Sequence, residues 1–138
     1  MRILGLDYGE KRIGVAVSDE LGMTAQGLST IIRKNKKHDW EILRRMIHDY
    51  NVEKIVVGYP VRLDGSEGIQ CEKVNRFALL MEKTFALPVM KWPETLSTKE
   101  AEEILINSGI RWEKRKKMVD KLAASLILQS YLDSIVQK

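Results

Sequence analysis

The chain has 138 residues, room for one domain around one hydrophobic core at roughly 100–200 residues per domain. With 44% hydrophobic and 30% charged residues it has enough apolar surface to fold and too little charge excess to stay disordered. The 23 Lys and Arg against 19 Asp and Glu leave a mildly basic net charge of +4, and no apolar stretch approaches the ~18–20 residues of a membrane span. The opening Met-Arg-Ile-Leu-Gly-Leu reaches Asp7 too soon for a signal peptide, so a cytoplasmic protein with no membrane association is expected. A single cysteine, Cys71, excludes an internal disulfide and a thiolate-cluster metal site, and its helical apolar surroundings make it a core or boundary thiol.

Residues 2 to 8 and 12 to 18 are short apolar runs on either side of Gly9-Glu10-Lys11, the pattern of an antiparallel hairpin. A third strand is predicted over about residues 24 to 32, before the polar stretch Arg33 to Lys37. Trp40, Leu43, Ile47 and Tyr50 then recur at helical spacing. Lys54 to Pro60 is apolar and β-branched enough for a strand buried on both faces of a parallel sheet. Arg62 to Gly68 is loop chemistry; Val74, Phe77, Ala78, Met81 and Phe85 mark a second helix, and residues 87 to 92 a further strand. Ser97 with Glu100 is a capping-box pair that starts a helix near Thr98, burying Ala101, Ile104 and Leu105 and stopping near Gly109. The last helix is predicted from about Lys114 to Val136. This order implies one α/β domain over residues 1–138: a mixed sheet, antiparallel hairpin plus parallel strands, with helices on both faces.

Three acids stand out by position. Asp7 lies inside the first strand on the face of Ile3 and Gly5, where a carboxylate is unusual unless the hairpin's backbone amides satisfy it. Glu94 follows Trp92-Pro93 at the carboxyl end of a predicted parallel strand, where ligands gather, although a helix N-terminus would also favour it there. Asp120 shares its helix face with Ala123, Ala124, Ile127, Leu128 and Tyr131, so it needs a lysine such as Lys117, a hydrogen-bond network or a metal ion. Together, two strand-end carboxylates and one from a covering helix make an oxygen-rich cluster suited to Mg²⁺ or Mn²⁺, with room for two ions. Such ions activate a water and stabilise the leaving oxygen of a phosphodiester.

Arg111, Lys114, Arg115, Lys116, Lys117 and Lys121 crowd one segment around Trp112, and Arg33, Lys34, Lys36 and Lys37 form a second cluster. Both suit phosphate contact and base stacking, or are simply solvated surface. Gly9 to Gly14 is not a P-loop, and Gly65-Ser66-Glu67-Gly68 is either a phosphate-binding loop or a plain turn. His38 and His48 stand too far apart for a ligand pair and read as surface residues.

The stretch from Ile3 through Asp7-Tyr-Gly-Glu-Lys-Arg-Ile-Gly to Asp19, then Val57-Gly-Tyr-Pro60 with Asp64-Gly65-Ser66, then Asp120-Lys-Leu-Ala-Ala124 with Gln129 and Tyr131, resembles the bacterial YqgF (RuvX) family over nearly the whole chain. The resemblance implies an RNase H-like fold and a hydrolase, either resolving Holliday junctions or processing the precursor of 16S rRNA. It implies that Asp7, Glu94 and Asp120 bind the metal and carry catalysis, that Lys11 and Arg12 face phosphate, and that Asp64, Gly65 and Ser66 lie near the site. One block departs: where the family reads Asp-Glu-Arg, this chain has Pro93-Glu94-Thr95, which keeps the acid and drops a neighbouring carboxylate and a phosphate clamp.

The expected function is therefore a metal-dependent endonuclease on structured nucleic acid, a rRNA precursor or branched DNA. The ribosome is a candidate partner, and a homodimer is expected if the substrate is a two-fold symmetric junction. A catalytically weak RNA- or ribosome-binding module is the alternative. A half of an actin-like phosphotransferase is a third reading, disfavoured because nucleotide clamping there takes two such domains.

Overall fold

The apolar runs at the start of the chain form strands β1 (Arg2–Tyr8) and β2 (Arg12–Ser18), joined by the predicted hairpin turn, in which the Gly9 amide donates to the Arg12 carbonyl at 2.9 Å. The computed structural model describes residues 1–61, 67–94, 97–109 and 111–136, without the side chains of 97–100, 102, 112, 113, 115–117 and 136. The third predicted strand is instead two short ones, β3 (Ala25–Gly27) and β4 (Ile31–Ile32), both antiparallel to β2. Helix α1 (Lys36–Asp49) begins four residues before the apolar repeat, because Asn35 caps it by accepting from the His38 amide at 2.8 Å.

Strand β5 (Val52–Tyr59) runs parallel to β1, and helix α2 (Ile69–Phe85) starts a turn earlier than the apolar spacing shows. Strand β6 (Val89–Pro93), parallel to β5, ends the sheet. Helices α3 (Ser97–Asn107) and α4 (Trp112–Val136) close the chain. In α3, Ala101 and Leu105 are buried as expected, but Ile104 is exposed. The Ser97 and Glu100 side chains of the expected capping pair lie outside the described ones.

Among the described residues six strands form one sheet in the order β3-β2-β1-β5-β6, with β4 alongside β2. Its two faces carry separate cores. Leu4, Leu6, Ile13, Val15, Ile55 and Val57 pack with Leu43 of α1 and Phe77 and Met81 of α2 on one side. On the other, Ile3, Ala16 and Val56 pack under Ala124, Ile127, Leu128, Tyr131 and Leu132 of α4. This is the expected mixed sheet with helices on both faces, an RNase H-like arrangement. Cys71 is buried with its thiol on the Pro60 carbonyl, a core position as expected. No helix among the described residues is long and apolar enough to cross a membrane.

Candidate active site

Alternation along β1 sends Leu4, Leu6 and Tyr8 toward α1 and α2, and Ile3, Gly5 and Asp7 toward α4. Asp7 pairs in register with Gly14 on β2, and α4 crosses directly over Gly14: a Cβ there would run into the backbone carbonyl oxygen of Asp120. Only glycine lets the helix come this close, so Gly14 sets the height of Asp120 above Asp7.

On the other side of Asp7, the β1–β5 register places Gly58 one step beyond the Leu6–Val57 pair. The Glu94 amide donates to the Tyr59 carbonyl at 2.8 Å, extending the β5–β6 ladder and turning the Glu94 side chain back over the sheet. A Cβ on Gly58 would lie 2.6 Å from Glu94 Oε2 and 2.7 Å from Ile127 Cδ1. Glu94 therefore fills the notch above Gly58, beside Asp7.

The electrostatics follow from that placement. Burial, and secondarily the charge of Asp120, push the Asp7 carboxyl up to about 6. Burial, and secondarily the charge of Asp7, push Glu94 up to about 8. Asp7 is thus the middle member of the three. No hydrogen bond to the Asp7 carboxylate is present among the described residues, so the hairpin amides do not satisfy it. Asp120 is answered differently: Arg12 Nε lies 2.7 Å from its Oδ2. Arg12, expected to face phosphate, is thus the counter-ion of an acid 108 positions away in sequence, while the Lys117 side chain lies outside the described ones.

Among the described residues no three His, Cys, Asp or Glu side chains stand close enough to hold a metal ion together, so Asp120, paired with Arg12, is not gathered into one cluster with Asp7 and Glu94. The donor set still fits Mg²⁺ or Mn²⁺. It is all oxygen, and two of its carboxylates are forced together without a cation between them among the described residues.

Of the basic candidates, Lys11, Arg12, Arg111, Lys114 and Lys121 are exposed. The Arg115, Lys116 and Lys117 side chains lie outside the described ones, as do residues Asp64, Gly65, Ser66 and Thr95. Arg33 turns the other way. Its Nη1 donates to the carbonyls of Gly9 at 2.7 Å and Glu10 at 3.0 Å, and its guanidinium sits 4.6 Å above the Tyr8 ring, bracing the hairpin turn from the α1 side. His38, expected at the surface, is partly covered and bonds Asp39 at 3.0 Å. The roles of Gly14 and Gly58 escape the sequence reading, though glycine inside a strand is itself a sign of close approach.

Acids near the carboxyl ends of β1 and β6, the parallel strands on either side of β5, and on the helix that crosses an RNase H-like sheet are the arrangement of a phosphodiester-hydrolysing nuclease. The model of the RuvX family, described as Holliday junction resolvase, matches residues 1–134, and the chain belongs to that family. A protein of Syntrophus aciditrophicus named as a candidate pre-16S rRNA nuclease is 64% identical over 138 residues, covering 100% of this chain and 92% of that one. One of Halothermothrix orenii with the same name is 52% identical over 133 residues, 96% of this chain and 95% of that one. Among solved structures, Thermus thermophilus RuvC in complex with a Holliday junction substrate superposes with a TM-score of 0.56 at 18% identity, over 99% and 96% of the two chains. The fowlpox virus resolvase with Holliday junction DNA gives 0.57 at 15% identity, over 99% of both chains. At such identities these two structures speak for the fold.

Proposed function

We propose that the chain is a metal-dependent endonuclease that hydrolyses phosphodiester bonds in structured RNA, the precursor of 16S rRNA, in the cytoplasm. The observation that carries this is the Glu94 carboxyl packed over Gly58, beside Asp7, without a compensating cation among the described residues. Asp7, Glu94 and Asp120 would hold the metal, Mg²⁺ or Mn²⁺, with two ions as the favoured count. Ions held there would supply Lewis-acid activation of the attacking water and charge stabilisation for the leaving oxygen.

The chain's own residues do the rest. Asp7 is fixed on a central strand and Glu94 in its notch, so neither carboxylate needs to reorganise. Arg12 holds Asp120 until a substrate phosphate offers a better anion, and its release returns Asp120 to the other acids. Lys11, Arg111, Lys114, Arg115, Lys116 and Lys117 receive flanking phosphates. The names of the relatives favour RNA, and the family description keeps junction DNA as the second substrate. Junction cleavage would call for a homodimer.

The test compares cleavage of a precursor-rRNA fragment and a four-way DNA junction by the wild type and Asp7→Asn, in Mg²⁺ and in Mn²⁺. Cutting of the RNA that vanishes in the variant is the expected result. Cutting of the junction alone reassigns the substrate. Binding without cutting in both proteins overturns the nuclease and leaves a binding module.

A further inference from the structure

On the face of the sheet opposite the acids, between α1 and α2, the molecule has a cavity of about 410 Å³. That volume lies within the range of about 300–1,000 Å³ of small-molecule sites. Its apolar wall is Trp40 of α1 with Phe77 and Leu80 of α2, and Leu80 is 40% exposed although it is large and apolar. Its polar wall carries Lys34, Lys36 and Arg76, none of which has an ion-pair partner among the described residues.

The two acids at this cavity are already answered. Glu10 is paired with Lys73 at 3.3 Å. Asp39 accepts from the Lys34 amide at 3.2 Å and from His38, and it faces Arg33 at 3.8 Å. The N-terminal residues of α1, Asn35 and Lys36, also line the rim and add the positive end of the helix dipole. A concave site with a flat aromatic and aliphatic wall and a surplus of unpaired cations matches a molecule with an apolar ring at one end and an anion at the other.

We propose that this cavity is a nucleoside-phosphate site, separate from the acidic centre, with the base against Trp40 and Leu80 and the phosphate between Lys34, Lys36 and Arg76. The occupant is either a free nucleotide or one unit of a nucleic-acid strand. The second form rests on the nucleic-acid reading above and has a geometric basis. The Gly9–Arg12 turn separates the two sites, with Asp7 on one face and Tyr8 lining the cavity on the other, so a strand draped over the turn reaches both. A second cavity, lined by Gly9, Glu10, Arg33, Gln70 and Lys73, continues the path beside the turn.

The experiment uses Asp7→Asn protein in chelator, so that nothing is cut. AMP, adenosine and inorganic phosphate are titrated by calorimetry, and a labelled 10-nucleotide single-stranded RNA by anisotropy. The double variant Lys34→Glu/Arg76→Glu is compared with Arg45→Glu/Lys83→Glu, an equal charge change at exposed positions outside the cavity. The expected result is AMP binding that exceeds that of adenosine and phosphate and weakens about tenfold or more in the cavity variant, with less than about twofold change in the control. The milder Lys34→Ala/Arg76→Ala guards against a folding defect. AMP that displaces the RNA identifies a strand unit, and AMP that binds without displacing it identifies a free nucleotide. No AMP binding, or equal loss in the control, overturns the proposal. AMP binding together with no cutting by the wild type in Mg²⁺ or Mn²⁺ would sink the nuclease reading and leave this result standing.

Discussion

Replacing Glu94 by Gln should make the metal-free protein more stable, although it removes a residue of the proposed active site. The carboxyl is held at about 8 where 4.5 is ordinary, chiefly by burial and then by the charge of Asp7. Folded protein therefore keeps this proton over a pH range where the unfolded chain has lost it, so wild-type stability falls as pH rises from about 4.5 and levels off above about 8. At about 1.4 kcal/mol per pH unit, the deficit from this group is about 3 kcal/mol at pH 7. Because Glu94 is only half-buried, water screens part of that, and a gain of about 2 kcal/mol is expected. For a chain of this length that is a rise of about 6 to 8 °C in Tm. The assay is thermal unfolding of both proteins in chelator from pH 4 to 9. The curves should meet at the acid end and separate progressively to pH 8, and adding Mg²⁺ should narrow the gap by stabilising only the wild type. A Gln variant less stable than the wild type at pH 8 would mean that the carboxylate is paired, and the reasoning would fall.

The two glycines under the site should separate stability from function. Gly14→Ala meets backbone of α4, which cannot step aside cheaply, and should cost about 3 kcal/mol, seen as a Tm drop of roughly 10 °C. Gly58→Ala meets only the ends of the Glu94 and Ile127 side chains; it should cost about 1–2 kcal/mol but weaken metal binding about 10-fold or more, measured by Mn²⁺ titration. Arg12→Ala removes a half-exposed ion pair worth under about 1 kcal/mol. It should tighten Mg²⁺ binding in the absence of nucleic acid, by freeing Asp120, while slowing single-turnover cleavage; weaker Mg²⁺ binding would contradict the holding role given to Arg12.

What the sequence made legible was whatever its local periodicity encodes. The hairpin showed because two apolar runs flank a glycine turn, and β5 showed because it is apolar on both faces. The strand predicted over 24 to 32 breaks in two because only Ala25–Gly27 and Ile31–Ile32 find partners on β2, a matter of register across the sheet. The first turn of α2 was legible only through Cys71, which joins the apolar stripe, because Ile69 beside it is exposed. The same division runs through the site. Asp7 and Asp120 are conspicuous because a carboxylate contradicts its local pattern, and Glu94 because it stands at the carboxyl end of a predicted parallel strand. That Arg12 answers Asp120 depends on how high α4 rides above β2, a tertiary distance set by the contact of Gly14 with α4 that no local periodicity encodes.

The Gly9–Arg12 turn carries this dependence one step further. Its last residue holds Asp120 on one face of the sheet, while Arg33 grips its first two carbonyls from the other. A guanidinium can bridge two carbonyls and lie flat on Tyr8 at once; an ammonium cannot hold that geometry. Arg33→Lys should therefore lower stability by about 1–2 kcal/mol. It should also slow cleavage by loosening Arg12, though Arg33 touches none of the three acids. The signature is a fall in kcat larger than the change in KM, together with Mg²⁺ binding that moves toward that of Arg12→Ala. If kcat and Mg²⁺ affinity both stay at the wild-type values while stability drops, Arg33 braces the fold alone and the turn does not couple the two faces.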